Sequence, residues 1–209
     1  MDSSRSNRPG PRVLAAILAA GWGRRLGGPK ALCRSPTGET FLQVIARAMR
    51  EAGLQEIVVV VGPWWNGTPD LPARFVMNPD PDRGLASSLR LAIPDREAGF
   101  SAVLWTLVDH PAVATRTYEG LLAAHRRDPE AIWVPVTTVE GARRRGHPVV
   151  FPAWVWPDLA SPDSDRVGPR AVLWAHPERV REVEVSDPGI LLDMDTPMDY
   201  TRYLEEEDG

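Results

Sequence analysis

The chain has 209 residues, a length that suits one large α/β domain and is too short for two domains with a linker. Its net charge of −4 disfavours a nucleic-acid-coating protein, which needs a basic face, but leaves room for a local cluster of nucleotide-binding donors. The single cysteine, Cys33, excludes an intrachain disulfide and a Cys-rich metal site, and favours the cytosol.

The chain termini are expected to lie outside the folded domain. Residues 1–12 are polar and lack the apolar stretch of a signal peptide, so we predict a disordered lead-in there. The longest apolar run, 13–20, is too short to span a membrane. We therefore predict one domain over 13–205, followed by a short tail at 206–209.

Apolar strands and helical patterns alternate along this domain. Strands are predicted at 13–20, 57–61, 74–77, 102–108, 131–136, 149–151 and 180–185, from short apolar or β-branched runs. Helices are predicted at 41–52 (capped by Thr40), 85–93, 118–127, 169–176 and 196–205. The alternation predicts an α/β fold with a doubly wound, mostly parallel sheet. Ligands bind such sheets at the carboxyl ends of the strands, where Gly21, Asn78 and Asp109 fall.

A glycine-rich segment with two basic side chains follows the first strand. Gly21 and Gly23 let backbone N–H groups approach an anion, and Arg25 and Lys30 add cationic donors for phosphate oxygens. A flexible turn with solvated bases is the alternative interpretation. The segment matches neither the P-loop nor the dinucleotide fingerprint, because the third glycine of the latter comes one residue late, at Gly27.

Read as Leu-Ala-Ala-Gly-x-Gly-x-Arg-x-Gly-x-Pro-Lys, residues 18–30 resemble the signature loop of the MobA-like NTP transferases. Among these they most resemble the molybdenum cofactor cytidylyltransferases, and the likeness runs from about Val13 to Tyr203. It implies a Rossmann-like fold of the nucleotide-diphospho-sugar transferase type, with a small antiparallel extension and Mg²⁺ as cofactor. The nucleotide contacts it implies are Leu18, Ala19, Ala20, Gly21, Gly23, Arg25, Lys30, Asn78, Gly84, Ser87 and Ser88.

The nucleotide base and the acceptor are also suggested by the resemblance. Guanylyl-transferring members usually carry Leu-Ala-Gly-Gly and Asp-Lys in this loop, whereas this chain has Ala20 and Pro29-Lys30, as cytidylyl members do. A methyl group at Ala20 would narrow the base pocket and favour a pyrimidine, so we expect CTP, with GTP and UTP left open. The implied acceptor is molybdopterin, and the implied protein partner is a molybdoenzyme or its chaperone.

Two acidic sites are candidates for holding the Mg²⁺ ion, which prefers oxygen ligands. Asp109 closes a buried strand and is held rigidly at the ligand edge, and the family's Asp-Gln-Pro motif binds metal there. This chain has His110 in place of the glutamine. Asp193 and Asp195 resemble the family's Asp-x-Asp-Thr-Pro element, although a helix cap is the alternative for the second of them. We expect Arg25, Lys30 and Asp109 to act in catalysis.

Two further elements resemble parts of the family's site. Asn78, Gly84, Ser87 and Ser88 correspond to an Asn…Gly…Ser element at a helix start, with an ordinary turn as the alternative. The run 145–147 resembles an Arg-Gly-His-Pro element, so Arg145, Gly146 and His147 are expected to bind the acceptor, with a solvated basic loop as the alternative. Segment 168–170 departs from the family pattern in its acid and spacing.

Two other functions remain open from the sequence. A nicotinamide-dependent oxidoreductase would use the same kind of sheet, but the fingerprint mismatch counts against it. A non-catalytic carrier or chaperone for a pterin cofactor would keep the pocket without needing the acids.

Overall fold

The computed structural model describes residues 11–67, 71–161 and 168–206. Most of the predicted lead-in and the last three residues of the predicted tail lie outside these ranges. The strands are β1 (Val13–Ala19), β2 (Ile57–Val61), β3 (Arg74–Met77), β4 (Ala102–Leu107), β5 (Ile132–Val139), β6 (Ala142–Arg145), β7 (Val149–Pro152) and β8 (Val180–Glu184). The α-helices are α1 (Phe41–Glu51), α2 (Leu85–Ala92), α3 (Thr115–Arg127), α4 (Trp156–Ala160), α5 (Arg170–Ala175) and α6 (Pro197–Glu206).

The eight strands form one sheet in the order β3-β2-β1-β4-β7-β5-β6, with β8 paired to β5. Strands β3, β2, β1 and β4 are parallel neighbours. Strand β7 runs antiparallel to both β4 and β5, and β6 runs antiparallel to β5. The predicted mostly parallel sheet with a small antiparallel extension is therefore confirmed.

Both faces of the sheet are buried, because side chains alternate along each central strand. One face packs against α1 and α3 through Phe41, Ile45 and Tyr118. The opposite face packs against α2, α4 and α5, through Leu89 and Trp156 among others. Strands β1 and β2 are buried along almost their whole length, which explains their continuous apolar runs.

Local signals set the ends of the helices next to the site. Thr40 caps α1 in a reciprocal capping box with Gln43, as the sequence predicted for the cap. Helix α2 starts after Gly84, which has a φ of 97° that a side chain would disfavour. Each helix within the described ranges is too short or too polar to cross a bilayer.

The structure differs from the predicted elements mainly in four places. Helix α3 begins at Thr115, three residues before the predicted start, and β5 continues to Val139. Strand β6 was not predicted, because its exposed arginines resemble a solvated loop. Helix α4 was also missed, since it is only five residues long and includes a proline in its first turn.

Candidate active site

One lysine and two aspartates converge at the carboxyl edge of the parallel strands. Lys30 Nζ donates a hydrogen bond to Asp109 Oδ2 at 2.9 Å and another to Asp195 Oδ1. Arg25 approaches the other oxygen of Asp195, Oδ2, at 3.2 Å. Residues separated by up to 170 positions in the chain therefore share one charged cluster.

Backbone hydrogen bonds fix the two acidic segments against each other. Asp109 follows β4, whose extension is secured by the Val108 N–H donating to the Leu18 carbonyl at 3.1 Å. The Met194 N–H donates to the Asp109 carbonyl at 2.9 Å, so the segment before α6 lies against the end of β4. Thr196 and Asp199 cap the start of α6 through reciprocal hydrogen bonds. The helix-cap interpretation of Asp195 is therefore not needed to explain how α6 begins.

The glycine-rich segment forms a tight turn that faces these acids. Gly23 has a φ of 60°, and its carbonyl accepts hydrogen bonds from Leu26 and Gly28. A Cβ atom at Gly23 would lie 1.8 Å from the Gly28 oxygen, so the turn requires glycine there. A Cβ at Gly21 would meet nothing within 4 Å, which leaves open space in front of that residue.

A cavity of about 420 Å³ lies between the turn and Asp195. Its lining residues are Gly21, Trp22, Gly23, Arg24, Arg25, Lys30, Pro81, Asp82 and Asp195. A larger concavity of about 560 Å³ lies at the amino ends of the strands, near Glu56, Arg74 and Asp95. Because ligands of such sheets bind at the carboxyl ends, the smaller cavity is the candidate site.

Charge pairing dominates the electrostatics of the cluster. Burial opposes the charged form of Lys30, but the carboxylates of Asp109 and Asp195 outweigh it and raise the pKa of Lys30 above its ordinary value. The hydrogen bond from Lys30 lowers the pKa of Asp195. Lys30 and Asp195 are therefore both charged near neutral pH.

The cluster fits a small divalent ion of the Mg²⁺ class. Asp109 Oδ1 is buried and has no hydrogen-bond partner, and a carboxylate oxygen is the type of ligand that such ions prefer. Asp195 is the second carboxylate at the same point, whereas Asp193 is exposed beside Asp199 and Tyr203. Within the described ranges no set of three or more His, Cys, Asp or Glu side chains is placed to hold a metal ion.

The predicted Asn78 element forms a closed hydrogen-bond network. Asn78 Nδ2 donates to both Ser87 Oγ and Ser88 Oγ at 2.9 Å, and its Oδ1 accepts from the Asp80 N–H. Ser87 Oγ in turn donates to the Gly84 carbonyl at 2.7 Å. All three side chains are buried, so the structure uses them to join the end of β3 to the start of α2.

The three residues before Gly21 lie in the core. Leu18, Ala19 and Ala20 are each less than 5% exposed, and Ala20 packs against the face of the sheet that carries α2. The Ala20 carbonyl accepts a hydrogen bond from Trp64 Nε1 at 3.1 Å. The lining of the cavity begins at Gly21, so the methyl group of Ala20 does not narrow it directly.

The predicted acceptor residues are divided between two environments. Arg145 lies on β6 and pairs with Glu182 of β8 at 2.7 Å, on the surface of the sheet. Arg143 likewise pairs with Glu182 and Glu184, so acidic side chains of β8 neutralise both arginines. The structure places neither of them at the cavity.

Gly146 and His147 lie closer to the acids. A Cβ at Gly146 would lie 2.1 Å from the Ile190 oxygen, and the His147 N–H donates to that same oxygen. The His147 ring lies between Trp105 and His110, with ring centroids 4.8 and 5.0 Å away. Burial, with His110 and Arg170 nearby, lowers the pKa of His147 to about 3, so its imidazole is neutral.

His110 is a site neighbour to which sequence reasoning gave no role. Its Nε2 lies 3.8 Å from Asp109 Oδ1, and burial lowers its pKa despite the nearby carboxylates of Asp109 and Asp193. Its position directly after Asp109 was the feature of the sequence that could have placed it at the site. Its contact with His147 depends on the tertiary fold, which the sequence pattern does not show.

Comparisons with known proteins show similarity in sequence and in fold. The model of the MobA-like NTP transferase domain matches residues 15–180. A Mycobacterium tuberculosis H37Rv structure described as a complex with manganese is similar, with 27% identity and a TM-score of 0.68. The similarity covers 94% of this chain and 99% of that one.

Three curated relatives differ in the activities their names state. The chain is 35% identical to the nicotine blue oxidoreductase of Paenarthrobacter nicotinovorans, over 93% of this chain and 97% of that protein. It is 31% identical to a 2-C-methyl-D-erythritol 4-phosphate cytidylyltransferase of Streptomyces avermitilis, over 79% of this chain and 70% of that protein. It is 32% identical to a Rhodopirellula baltica protein described as a probable molybdenum cofactor guanylyltransferase, over 58% of this chain and 60% of that protein.

Proposed function

The chain belongs to the family of MobA-like NTP transferases, and on that premise we propose that it transfers a nucleoside monophosphate from an NTP to a phosphorylated small molecule. The acceptor phosphate oxygen forms a bond to the α-phosphorus of the NTP. The bond from that phosphorus to the bridging α–β oxygen breaks, and pyrophosphate leaves.

The observation that carries this proposal is the convergence of Lys30, Asp109 and Asp195 beside the glycine turn. The lysine and Asp195 line the same cavity as Gly21 and Arg25. A triphosphate in that cavity would meet backbone N–H groups, the cations Arg25 and Lys30, and Asp195, and Lys30 links the cavity wall to Asp109. Phosphoryl-type transfer depends mostly on positioning and charge neutralisation, which this arrangement supplies.

Each group of the chain has a defined task in this proposal. The glycine turn, Arg25 and Lys30 bind the phosphate oxygens and hold the α-phosphorus in position for attack. Asp109 and Asp195 would hold Mg²⁺, which when bound shields the charge between the acceptor and the triphosphate. No side-chain base is required, because an acceptor phosphate is already ionised at neutral pH.

We further propose CTP as the nucleotide, molybdopterin as the acceptor and the cytosol as the compartment. The support for CTP is the likeness of the loop to that of cytidylyl-transferring members, through Ala20 and Pro29-Lys30. One curated relative is named for cytidylyl transfer and another for guanylyl transfer to the molybdenum cofactor. A molybdoenzyme or its chaperone would then receive the product.

An oxidoreductase function is not favoured, despite the name of one relative. The glycine turn lacks the dinucleotide fingerprint, and β2 ends in Val61-Gly62 without an acid to bind a ribose. NADH is therefore included in the test as a competing ligand.

The test is a screen of the four NTPs for Mg²⁺-dependent pyrophosphate release, with and without molybdopterin. We expect release with CTP and the acceptor, and its loss on adding EDTA. Asp109→Asn and Asp195→Asn should each lower turnover by at least about 100-fold, while Asp193→Asn retains most of it. Wild-type turnover in Asp109→Asn, or NADH binding without any NTP response, would reject the proposal.

A further inference from the structure

Lys30 occupies the point at which a divalent ion would have to bind. Its ammonium contacts both Asp109 and Asp195, the two carboxylates that fit the ion. The side chains of Lys30 and Asp109 are only 16% and 18% exposed, so water screens this pair weakly. The two carboxylates are therefore neutralised by an internal cation.

The charges at the site balance without any external ion. Two carboxylates, Asp109 and Asp195, face two cations, Lys30 and Arg25. A divalent ion that entered this arrangement would meet the ammonium at close range and would have to displace it. Its affinity for the free protein is lowered by that displacement.

A triphosphate offers Lys30 another set of anionic partners. Lys30 begins a 3₁₀ turn (Lys30–Leu32) that is fixed by the hydrogen bond from the Cys33 N–H to the Lys30 carbonyl at 3.0 Å, and Ala31 is buried. The backbone is therefore held in place, while the four-carbon side chain can turn towards the cavity that it lines. Moving the ammonium onto phosphate oxygens releases both carboxylates.

We propose that Lys30 is an internal counter-ion that closes the divalent-cation site until a triphosphate draws it away. The proposal rests on the proposed function, since it assumes a triphosphate in this cavity. Cation and nucleotide then bind with positive coupling: each raises the affinity of the chain for the other by the same factor.

The test measures Mn²⁺ binding by the loss of its free EPR signal, and needs no turnover. We compare the wild type with Lys30→Met, which removes the charge and keeps the chain length. Arg34→Met is the matched control, because it removes one positive charge from an exposed residue that bonds the Gly38 carbonyl outside the cluster. Circular dichroism spectra and thermal melts establish that each variant is folded.

Without nucleotide, we expect Lys30→Met to bind Mn²⁺ at least about tenfold more tightly than the wild type, and Arg34→Met to match the wild type. In the wild type, α,β-methylene-CTP should increase the amount of Mn²⁺ bound to the protein beyond the Mn²⁺ that the same concentration of nucleotide binds without protein. Equal Mn²⁺ affinity in Lys30→Met and the wild type would overturn the proposal, as would a tightening in Arg34→Met equal to that in Lys30→Met.

The two proposals fail in distinguishable ways. A wild type that binds neither CTP nor any other NTP in the presence of Mn²⁺ refutes the proposed function. The nucleotide-free comparison of the wild type with Lys30→Met still decides whether the lysine closes the cation site.

Discussion

Gly23→Ala tests whether the shape of the glycine turn governs nucleotide binding. Gly23 adopts a φ of 60°, and an added Cβ would lie 1.8 Å from the Gly28 carbonyl oxygen and 3.2 Å from the Lys30 nitrogen. The methyl group therefore presses on the segment that leads into Lys30. The turn must open to accommodate it.

The expected magnitude follows from two separate costs. The left-handed backbone conformation costs alanine about 1–2 kcal/mol, which the turn has to absorb. The clash adds a displacement of roughly 1 Å in the Gly28 segment, and a misplacement of that size can cost about 100-fold in function. We expect nucleotide affinity to fall by about 10- to 100-fold, because the turn no longer presents its N–H groups in one place.

Gly27→Ala is the matched control for this experiment. Gly27 also has a positive φ, 79°, but an added Cβ there meets nothing within 4 Å. It therefore carries the conformational cost without the displacement. Calorimetric titration with Mg²⁺ and α,β-methylene-CTP should show a much larger loss in Gly23→Ala than in Gly27→Ala, with similar melting temperatures. Equal affinities in the two variants would refute the reasoning.

Two other predictions concern the cavity and the core. Gly21→Ala should leave the melting temperature unchanged, since its Cβ meets no atom, but weaken calorimetric nucleotide binding by filling space in front of the turn. His125 is buried beside Ser101, and burial lowers its pKa below the ordinary 6.5. As the pH falls below 6.5, the unfolded chain therefore binds more protons than the folded chain, and the free energy of unfolding decreases. Its contribution to stability is present above pH 6.5 and lost below it, by up to about 1.4 kcal/mol per pH unit. Urea melts from pH 5 to 8 should show a shallower decline in His125→Gln; parallel profiles would contradict this.

Much of the fold was predictable because its strands and caps carry local signals. The continuous apolar runs of β1 and β2 reflect strands buried on both faces, and Thr40 caps α1 as predicted. Strand β6 carries no such signal. It is held by pairing with β5 and by arginine–glutamate contacts to β8, which are long-range features that a sequence window does not contain.

The sequence singled out Lys30, Asp109 and Asp195 as candidate site residues, but it did not predict which of them pair with one another. The order of the strands brings Lys30 to Asp109, and the Met194–Asp109 backbone hydrogen bond brings Asp195 to both. The sequence predicted that Lys30 binds phosphate oxygens, whereas in the structure Lys30 donates hydrogen bonds to the carboxylates of Asp109 and Asp195. Asn78 and Arg145 were also predicted to bind ligands, but in the structure they form hydrogen bonds with Ser87 and Glu182, respectively. Such pairing is expected because polar groups in a folded protein usually find hydrogen-bond partners.

The central claim is that one nucleotide lies between the glycine turn and a divalent ion held by Asp109 and Asp195. The most direct measurement is a crystal structure with α,β-methylene-CTP and Mn²⁺, using the anomalous signal of manganese to locate the ion. We expect a manganese peak at both carboxylates, with triphosphate oxygens on Arg25 and Lys30. A nucleotide bound elsewhere, or a manganese peak away from Asp109, would contradict it.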